Sequence, residues 1–507
     1  MKSEDKKIVL LDDLEKILRA TNDQKKVVQC HGVFDLMHPG HIKHLKAAKN
    51  LGDILIVTVT PDEFVNKGPG RPVYNQNDRI ESLASLDFVD FVALNKWSEA
   101  HLAIRLLRPH IFVKGQDYEE ALKKSDSLTS LEKEAVESYG GKIHFTHEST
   151  FSSSLLLNNY FSVFSEQTKM WAHQFKKEHS IDEILSCLEM ARNLKILLIG
   201  DTIIDEYVYC ELIGRSLKES IPRVKYLSAE RFAGGVIAVA NHLSGFCDNV
   251  TMVTVLGVGS ENEAFIKNQL LPGVKPIFFR REDACTVINK RIVRQAFLEK
   301  FFGIYEINDA PIPTDIETKI CTNLDSLLPE HDLVIIMDYG FGLMTPTIIE
   351  KVVNKSNFIA LNAQTNSVNL GFNLITKYKK ADYVSVSVPE LRMAANQKFT
   401  PLKELVPLIL NKMNSGLVTV TLGPDGSLSY DGKNFYTVPT FNTKVLDRVG
   451  AGDAYLAWSA PQAFLGVNPA VVGFFGNIAG GIAIDIVCNR KSVTTEAFLN
   501  FAKTLLK

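Results

Sequence analysis

The first part of the chain alternates short apolar runs with amphipathic stretches. This pattern predicts a strand over 27–30, a helix over about 39–50 and a second strand over 53–60, which together form a βαβ unit. The runs ILIVTV and HIFVKG are apolar without alternation, as is typical of parallel strands covered by helices on both faces. We therefore predict an α/β domain built on a parallel sheet.

The pattern changes in the second quarter of the chain. Between about 159 and 193 the sequence becomes polar and helical, and the apolar run KILLIGD then opens a second strand–helix alternation. This alternation continues through DLVIIMDYG, ADYVSVSV and GLVTVTLG. The sequence thus predicts a first domain over 1–160, a helical linker over 161–192 and a second α/β domain over 193–507.

Composition and charge narrow the function classes. The 507 residues are 46% hydrophobic and 22% charged, which is typical of globular domains, and the chain is too long for a single core. The formal net charge of -2 provides no overall positive field, so neither nucleic acid nor anionic lipid is expected as a partner. Seven cysteines without CxxC spacing, and no apolar run of about 18 residues, indicate a cytoplasmic protein without a membrane span.

Two histidines three residues apart follow the first strand. In the string HGVFDLMHPGH, His38 and His41 flank Pro39 and Gly40, where the helix is predicted to begin. Proline suits a first helical turn, and the unpaired amides of a helix start favour a phosphate. Imidazole donors and a lysine aimed at an α-phosphate would stabilise nucleotidyl transfer, which makes His38, His41 and Lys43 the candidate catalytic residues. An isolated His-x-x-His is more simply structural, but the full string favours chemistry.

These residues resemble the HxGH cytidylyltransferase superfamily. The likeness extends through Arg71-Pro72-Val73, Asp78-Arg79, Val89-Asp90 and the string VKGQDY, and it is strongest to the adenylyltransferase half of bifunctional heptose-phosphate enzymes. It implies a Rossmann-like nucleotidyltransferase domain. The string HPGHIK is also similar to glycerol-phosphate cytidylyltransferases, so ATP and CTP both remain candidate substrates. The nucleotide-binding residues implied are Gly32, Val33, Phe34, Lys114, Asp117, Ser152, Ser153 and Ser154.

A glycine turn followed by an aspartate lies near the C-terminus. The string DRVGAGD ends in Asp453 and precedes a helical stretch. The amides of Gly450 to Gly452 at a helix start can bind a γ-phosphate, while Asp453 can accept the proton of an attacking hydroxyl. The sequence therefore predicts a phosphoryl-transfer site with Asp453 as its base.

Further motifs in the second part of the chain resemble ribokinase-like sugar kinases. They are Gly200-Asp201, Asp205, Gly234-Gly235, Asp338-Tyr339, Glu390 and the string VTLG with Gly426. The resemblance covers roughly 193–507 and implies a ribokinase-like α/β/α domain. It is again closest to the heptose-phosphate enzymes, whose two halves occur in the opposite order. The implied residues are Asp201, Asp205, Arg215, Gly234, Gly235 and Asn241 for the sugar, Gly423, Gly450, Ala451 and Gly452 for the nucleotide, and Glu390 for magnesium.

Five positions depart from the kinase pattern. Ala238 and Ser387 replace asparagines, Phe341 a lysine, Asn362 an aspartate and Val449 a threonine. Each change removes a charge or a hydrogen-bonding group, which reduces substrate binding and orientation. Two interpretations follow: a working kinase for a different sugar or polyol phosphate, or a domain that has kept its fold and base but lost efficient catalysis.

The leading expectation is an enzyme of nucleotide-sugar biosynthesis. Its first domain would transfer a nucleotidyl group from ATP or CTP to a sugar phosphate, and its second would phosphorylate a sugar with ATP. The alternative is a cytidylyltransferase for a polyol phosphate with an impaired kinase-like scaffold. Magnesium is expected in both halves to offset phosphate charge, with Asp35 and Asp117 as possible helpers, although Asp35 can equally cap a turn. Family likeness also implies a homodimer.

Overall fold

The computed structural model describes residues 7–20, 25–65, 68–116, 128–147, 164–216, 221–442 and 445–506. The chain divides into two compact units, Met1–Val163 and Phe164–Lys507. Among the described helices, none is both long enough and apolar enough to span a membrane. Each unit has its own sheet and its own core.

The first unit alternates strands and helices, as the apolar runs predicted. In chain order its elements are α1 (Leu11–Ala20), β1 (Val27–Gly32), α2 (Pro39–Lys49), β2 (Ile54–Val59), α3 (Gln76–Ala84), β3 (Phe91–Leu94), α4 (Ala100–Leu107), β4 (Ile111–Gly115), α5 (Leu128–Glu137) and β5 (Lys142–Thr146).

The five strands form one parallel sheet with the order β3-β2-β1-β4-β5. All six residues of β2 are buried, because apolar side chains cover both faces of the sheet. The chain leaves β1 towards β2 on one side and later returns to β4 on the other. The carboxyl end of β1 is therefore the topological switch point, where ligands bind in open α/β sheets.

The second unit begins with two helices that precede its first strand. In chain order its elements are α6 (Glu166–Glu178), α7 (Ile181–Arg192), β6 (Lys195–Gly200), β7 (Thr202–Arg215), β8 (Pro222–Gly235), α8 (Val236–Ser244), β9 (Asn249–Val258), α9 (Ser260–Gln269), β10 (Val274–Cys285), β11 (Val287–Arg294), β12 (Glu299–Glu306), α10 (Thr314–Leu327), β13 (Leu333–Asp338), α11 (Pro346–Lys355), β14 (Ile359–Ala363), β15 (Tyr383–Ser387), α12 (Val388–Ala395), α13 (Leu402–Lys412), β16 (Leu417–Thr421), β17 (Ser427–Tyr430), β18 (Phe435–Val438), α14 (Ala451–Phe464), α15 (Pro469–Ala483) and α16 (Thr495–Leu505).

A nine-stranded sheet organises the second unit. Its order is β10-β9-β6-β13-β14-β15-β16-β17-β18, parallel up to β16 and antiparallel at β17 and β18. One apolar core lies on each face, which gives the three layers of an α/β/α fold. A separate four-stranded sheet, β12-β11-β7-β8, extends from this body. The predicted fold class, two α/β domains with a parallel sheet in the first, is confirmed.

The segment predicted as a helical linker contains α6 and α7. Phe175 of α6 and Leu188 of α7 are buried in the core of the second unit, together with residues of α14 and α15. Thr168 also donates its hydroxyl to the carbonyl of Thr440 at 3.1 Å. Both helices therefore pack as part of the second unit.

Candidate functional site

The turn after β1 places both candidate histidines at the start of α2. Phe34 reverses the chain with a φ of 50°, and its buried ring packs edge-on against His41 with centroids 5.4 Å apart. His38 is the N-cap of α2, and its Nδ1 accepts a hydrogen bond from the amide of Gly40 at 3.1 Å. One imidazole thus contributes to the helix start itself.

The two imidazoles lie against each other. The rings of His38 and His41 stack with centroids 3.9 Å apart, and burial lowers the pKa of His38. A neutral His38 whose Nδ1 accepts from Gly40 carries its proton on Nε2. That Nε2 can donate to a phosphate oxygen, as transition-state stabilisation requires. Lys43, two residues after His41 on α2, is exposed.

A fully buried arginine fixes this turn. The guanidinium of Arg79, on α3, donates to the carbonyl of Val33 at 2.5 Å, to that of Thr60 at 2.8 Å and to Asp62 at 2.5 Å. Its Nε donates to the carbonyl of Tyr74 at 3.1 Å. Arg79 therefore ties the turn after β1 to the loops after β2 and before α3.

Replacing Arg79 with methionine should destabilise the first unit by about 3 kcal/mol, because buried carbonyls lose their donors. The nucleotidyl transfer expected from the sequence should fall more steeply than the folded fraction, since the turn loses its anchor. Thermal unfolding and activity of the full chain measure both effects. Arg105→Met, which removes an exposed arginine 3.8 Å from Glu134, is the matched control. It should change the free energy of unfolding by no more than about 0.5 kcal/mol and leave the activity unchanged. Equal effects of the two substitutions would contradict the anchoring role.

Asp35 is engaged with the backbone of a neighbouring loop. It accepts hydrogen bonds from the amides of Val73 at 2.7 Å and Tyr74 at 3.0 Å, and Arg71 lies 3.5 Å from its carboxylate. Through these bonds, Asp35 holds the Arg71–Tyr74 segment beside the turn between β1 and α2. Of its two predicted roles, turn cap and magnesium helper, the geometry supports the first.

Lys114 ends β4 beside the same edge of the sheet. It forms an ion pair with the buried Glu132 of α5. Burial of His31 is the main cause that lowers its pKa to about 3, and the positive charge of Lys114 is the second. Gly32 ends β1, and Val33 and Phe34 lie in the turn itself. Asp117, Ser152, Ser153 and Ser154 lie outside the described residues.

In the second unit, Asp453 lies in the first turn of α14, directly after the glycine turn. Gly450 is the N-cap of α14 with a φ of 87°, and a Cβ there would meet Asn489 Oδ1 at 2.1 Å. Asp453 Oδ1 accepts from the hydroxyl of Tyr339 at 2.9 Å and from Gln364 Nε2 at 3.1 Å. Burial raises the pKa of Asp453 to about 6, while the bond from Tyr339 opposes the rise. A carboxylate in this state is suited to accept a proton near neutral pH.

Four of the predicted sugar-binding residues come together at the ends of β6 and β8. A Cβ on Gly234 would meet Asp205 Oδ2 at 2.3 Å. One on Gly235, whose φ is 57°, would meet the backbone carbonyl of Asp201 at 2.5 Å, so position 235 requires glycine. Asp201 Oδ2 accepts from the amide of Tyr339 at 3.0 Å, and burial, then the charge of Asp338, raises its pKa to about 7. Asp205 pairs with Arg291 of β11.

The other two predicted sugar-binding residues lie elsewhere. Arg215 is exposed at the opposite end of β7, and the strand from 205 to 215 spans on the order of 30 Å at about 3.3 Å per residue. Asn241 is buried in α8, where it donates to the carbonyl of Gln269 at 2.9 Å and accepts from the amide of Leu271 at 3.0 Å. Neither side chain joins the group around Asp201.

Glu390 forms a capping box with Ser387 at the start of α12. Its Oε2 accepts from the amide and the hydroxyl of Ser387, both at 2.7 Å, and its Oε1 accepts from the amide of Thr365 at 3.2 Å. Both oxygens are thus occupied by protein donors. Within the described ranges, no group of three His, Cys, Asp or Glu side chains is arranged to hold a metal ion. These described residues thus offer no all-protein magnesium site, and a magnesium ion here would be held mainly through substrate phosphates.

Two cavities of unequal size flank Asp453 and Asp201. A cavity of about 490 Å³ lies at the start of α14, and Gly423, Arg448, Ala451, Gly452 and Tyr455 are among its lining residues. Its volume falls within the range of small-molecule sites. The other, lined by Asp201, Arg281 and Phe341, has about 20 Å³, which is room for one water. The cavity at the start of α14 is therefore large enough for a small molecule, whereas the one beside Asp201 is not.

The remaining altered positions have local partners. Phe341 is buried, and its amide lies 3.4 Å from Asp201. Asn362 donates to the carbonyl of Ser385 at 2.7 Å, and the amide of Val449 donates to Asp447 at 3.1 Å. Ala238 is buried in α8.

Three residues that organise these sites were not given a role from the sequence. Arg79 appeared only as part of a motif, and Tyr339 and Gln364 were not assigned to the base. No local pattern reports such long-range bonds. The capping box was readable, because Ser387 and Glu390 have the S-x-x-E spacing just before an apolar helix.

Comparison with known proteins assigns families to both regions. Residues 30–205 match the Cytidylyltransferase-like family, and residues 316–485 match the pfkB family carbohydrate kinases. The first match extends beyond Val163, the last residue of the first unit. The chain carries a cytidylyltransferase-like region followed by a pfkB-family kinase region. The predicted families and their order are confirmed.

Several curated relatives share the name bifunctional protein HldE. The one from Aliarcobacter butzleri is 41% identical over 115 residues, which is 22% of this chain and 24% of the relative. The one from Helicobacter pylori is 47% identical over 107 residues, 21% of this chain and 23% of the relative. The chain thus matches about a quarter of the length of these relatives.

The solved structure of phosphofructokinase-2 from Escherichia coli in complex with fructose-6-phosphate is similar in fold. It superposes with a TM-score of 0.51 at 15% identity, covering 62% of this chain and 100% of that chain. At this identity the likeness establishes the fold alone.

Proposed function

We propose that the protein is a two-activity enzyme of nucleotide-sugar biosynthesis. The first unit transfers a nucleotidyl group from ATP or CTP to a sugar phosphate and releases pyrophosphate. The second unit phosphorylates a sugar or sugar phosphate with ATP. The observation that carries the first activity is the stacked His38–His41 pair at the start of α2, with the proton of His38 directed through Nε2. The relatives named bifunctional support two activities on one chain.

In the first reaction, a phosphate oxygen of the sugar phosphate attacks the α-phosphorus of the nucleotide. The bond to the pyrophosphate leaving group breaks as the new phosphoanhydride bond forms. His38 Nε2 donates to an α-phosphate oxygen, and the first amides of α2 add further donors. His41 and Lys43 supply a second imidazole and a positive charge on the same helix. The protein's part is charge stabilisation and positioning.

In the second reaction, a hydroxyl of the acceptor attacks the γ-phosphorus of ATP. Asp453 accepts the hydroxyl proton, and ADP leaves. Tyr339 and Gln364 hold Asp453 Oδ1, which orients the carboxylate. The first amides of α14 lie next to the 490 Å³ cavity and stabilise the phosphoryl charge. Asp201, Asp205 and the glycine pair form the acceptor side.

Magnesium enters both proposed reactions as part of the nucleotide substrate. Mg²⁺ is commonly bound through substrate phosphates and one or two carboxylates. Because the oxygens of Glu390 are occupied by Ser387 and Thr365, we assign no step to a magnesium ion held by this residue.

The kinase should require the ionised form of Asp453. With a pKa of about 6, kcat/KM for phosphorylation should rise with pH through about 6 and level off above it. Tyr339→Phe removes a hydrogen bond that favours the carboxylate, so the pKa should rise and the rising limb should move to higher pH. A pH profile between 5 and 9 measures this, and an unmoved limb would separate Tyr339 from the base.

One observation favours a second candidate function, a cytidylyltransferase for a polyol phosphate with an impaired kinase. The cavity beside Asp201 has only about 20 Å³, and the buried Phe341 lines it. Phe341→Lys replaces the aromatic side chain with the family's lysine. If the kinase is impaired, this substitution should raise phosphorylation from a negligible rate. If the kinase works on a different acceptor, the substitution should lower its activity. Initial rates with ATP and a panel of sugars and polyol phosphates distinguish the two.

Product analysis decides which nucleotide is transferred. The full chain is incubated with magnesium and either ATP or CTP, together with sugar 1-phosphates or polyol phosphates, and the products are identified by mass spectrometry. An adenylylated sugar supports the leading proposal, and a cytidylylated polyol supports the second candidate. The absence of any nucleotidyl product would refute both.

We further propose a cytoplasmic homodimer. The free thiols of all seven cysteines suit a reducing compartment. The four-stranded sheet exposes apolar side chains, namely Leu212, Ile213, Tyr226, Leu227, Phe302 and Ile304, and Ile221 just before β8 is also exposed. Such a surface is typical of an interface, and a second copy would bury it. Light scattering should give about twice the chain mass of 56.5 kDa, and Ile213→Lys should shift it towards the monomer. A wild-type monomer would contradict the proposal.

A further inference from the structure

Asp447 is a buried carboxylate that the proposed reactions do not use. It lies just before the glycine turn and is 3% exposed. Its Oδ1 accepts from Lys300 Nζ at 2.5 Å and from the amide of Val449 at 3.1 Å. Its Oδ2 accepts from the hydroxyl of Tyr207 at 2.7 Å and from the amide of Cys488 at 3.1 Å. Each oxygen thus has one side-chain donor and one backbone donor.

The two side-chain donors come from the four-stranded sheet. Tyr207 lies on β7 and Lys300 on β12, whereas Asp447 and Val449 belong to the segment leading into α14. The ammonium of Lys300 also lies 5.3 Å from the ring centroid of Tyr207. Asp447 therefore joins the four-stranded sheet to the turn that faces the 490 Å³ cavity.

The same strand reaches the acceptor side. Asp205 is two residues before Tyr207 on β7, and Asp205 pairs with Arg291. The guanidinium of Arg291 lies 5.8 Å from the ring centroid of Tyr207. A continuous set of contacts thus runs from Asp205 through Arg291 and Tyr207 to Asp447.

We propose that Tyr207 and Lys300 are positioning residues that act through Asp447 to hold the glycine turn in its phosphate-binding shape. The inference rests on the proposed kinase function only in that the ligand of the turn is the ATP triphosphate. Lys300 has two effects. It orients the carboxylate that caps the amide of Val449, and it neutralises a negative charge that would otherwise repel the phosphates.

The arrangement couples the two substrates of the kinase. An acceptor that engages Asp205 acts on the strand that carries Tyr207, and Tyr207 contacts the carboxylate beside the nucleotide turn.

Hydrogen exchange of the full chain, followed by mass spectrometry of peptides covering 445–455, tests this with and without ATP. Lys300→Met should raise the exchange rate in these peptides about tenfold without nucleotide. It should also raise the ATP concentration needed for protection about tenfold. Lys300→Arg should restore both. Tyr207→Phe should produce a smaller change in the same peptides, because Lys300 remains.

Lys290→Met is the matched control. Lys290 lies on β11 of the same sheet, pairs with Glu306 at 2.5 Å and is 29% exposed against 31% for Lys300, but it has no bond to Asp447. This variant should exchange like the wild type in 445–455. If Lys300→Met and Lys290→Met both leave exchange and ATP protection unchanged, the positioning role is wrong. If both raise exchange equally, the effect is general loosening of the sheet and the proposal is also wrong.

The outcome for the proposed function is separate. A wild type that ATP does not protect in 445–455 would refute the nucleotide site of the kinase. The nucleotide-free comparison of Lys300→Met with Lys290→Met would still decide whether Lys300 holds the turn.

Discussion

Replacing Asp453 with asparagine should lower the rate of ATP-dependent phosphorylation about a thousandfold, because the attacking hydroxyl loses its proton acceptor. Asparagine keeps the size of the side chain and can still accept from Tyr339 through its oxygen, so the fold and the affinity for ATP should change little. Pyrophosphate release by the first unit should be unaffected. The measurement is the initial rate of ADP formation with the acceptor that supports the highest wild-type rate.

Asp315→Asn provides the control for this prediction. Asp315 is an exposed aspartate of α10 that pairs with Lys319, and its substitution removes the same charge away from the site. It should retain the full rate. If Asp453→Asn keeps more than about a tenth of the wild-type rate, proton transfer to this carboxylate is not a major part of catalysis.

The second large effect is expected at the histidine turn. His41→Ala should reduce nucleotidyl transfer on the order of a hundredfold to a thousandfold, the range for loss of one preorganised donor to a transition-state oxyanion. His38→Asn is the sharper substitution, because asparagine is a good N-cap and retains an acceptor for the amide of Gly40. It should preserve the helix start while removing the Nε2 donor. Initial rates of pyrophosphate formation measure both variants.

His101→Ala is the matched control for the histidines. His101 lies on α4, pairs with Glu99 at 2.9 Å and is outside the β1–α2 turn. It should leave the rate within about twofold of wild type. A His38→Asn variant with normal activity would mean that His38 contributes only as a helix cap, and the catalytic role would then fall to His41 and Lys43 alone.

Local sequence order explains why much of this architecture was predictable. The apolar runs of β1, β2 and β4 gave the parallel sheet, and Pro39 marked the start of α2. The GAGD string likewise located the start of α14, with Asp453 in its first turn. In each case the relevant residues are neighbours along the chain, so their spacing determines where the strand or helix lies.

Contacts made across the fold were not predictable in the same way. Arg79 reaches the carbonyl of Val33, and Tyr339 reaches Asp453, through pairings that depend on how distant strands are ordered. The same reason explains Arg215 and Asn241, which a motif likeness grouped with Asp201 but which a long strand and a helix face separate from it.

The kinase region shows a further limit of motif reading. Ser387 and Phe341 both depart from the kinase pattern; the S-x-x-E spacing indicates the cap that Ser387 forms, but no sequence pattern indicates where Phe341 packs. Ser387 caps α12 together with Glu390, and Phe341 lines a cavity with room for one water. A changed residue can thus retain a structural role, and only side-chain geometry distinguishes this from a simple loss.

The measurement that tests the central claim most directly is pyrophosphate release by the full chain with ATP or CTP against a panel of sugar 1-phosphates and polyol phosphates, with His41→Ala in parallel. We predict release with one nucleotide and a sugar phosphate, reduced at least a hundredfold by His41→Ala and unchanged by Asp453→Asn. Release that is equal in the wild type and in His41→Ala, or no release with any pair, would contradict the assignment of the first unit as a nucleotidyltransferase.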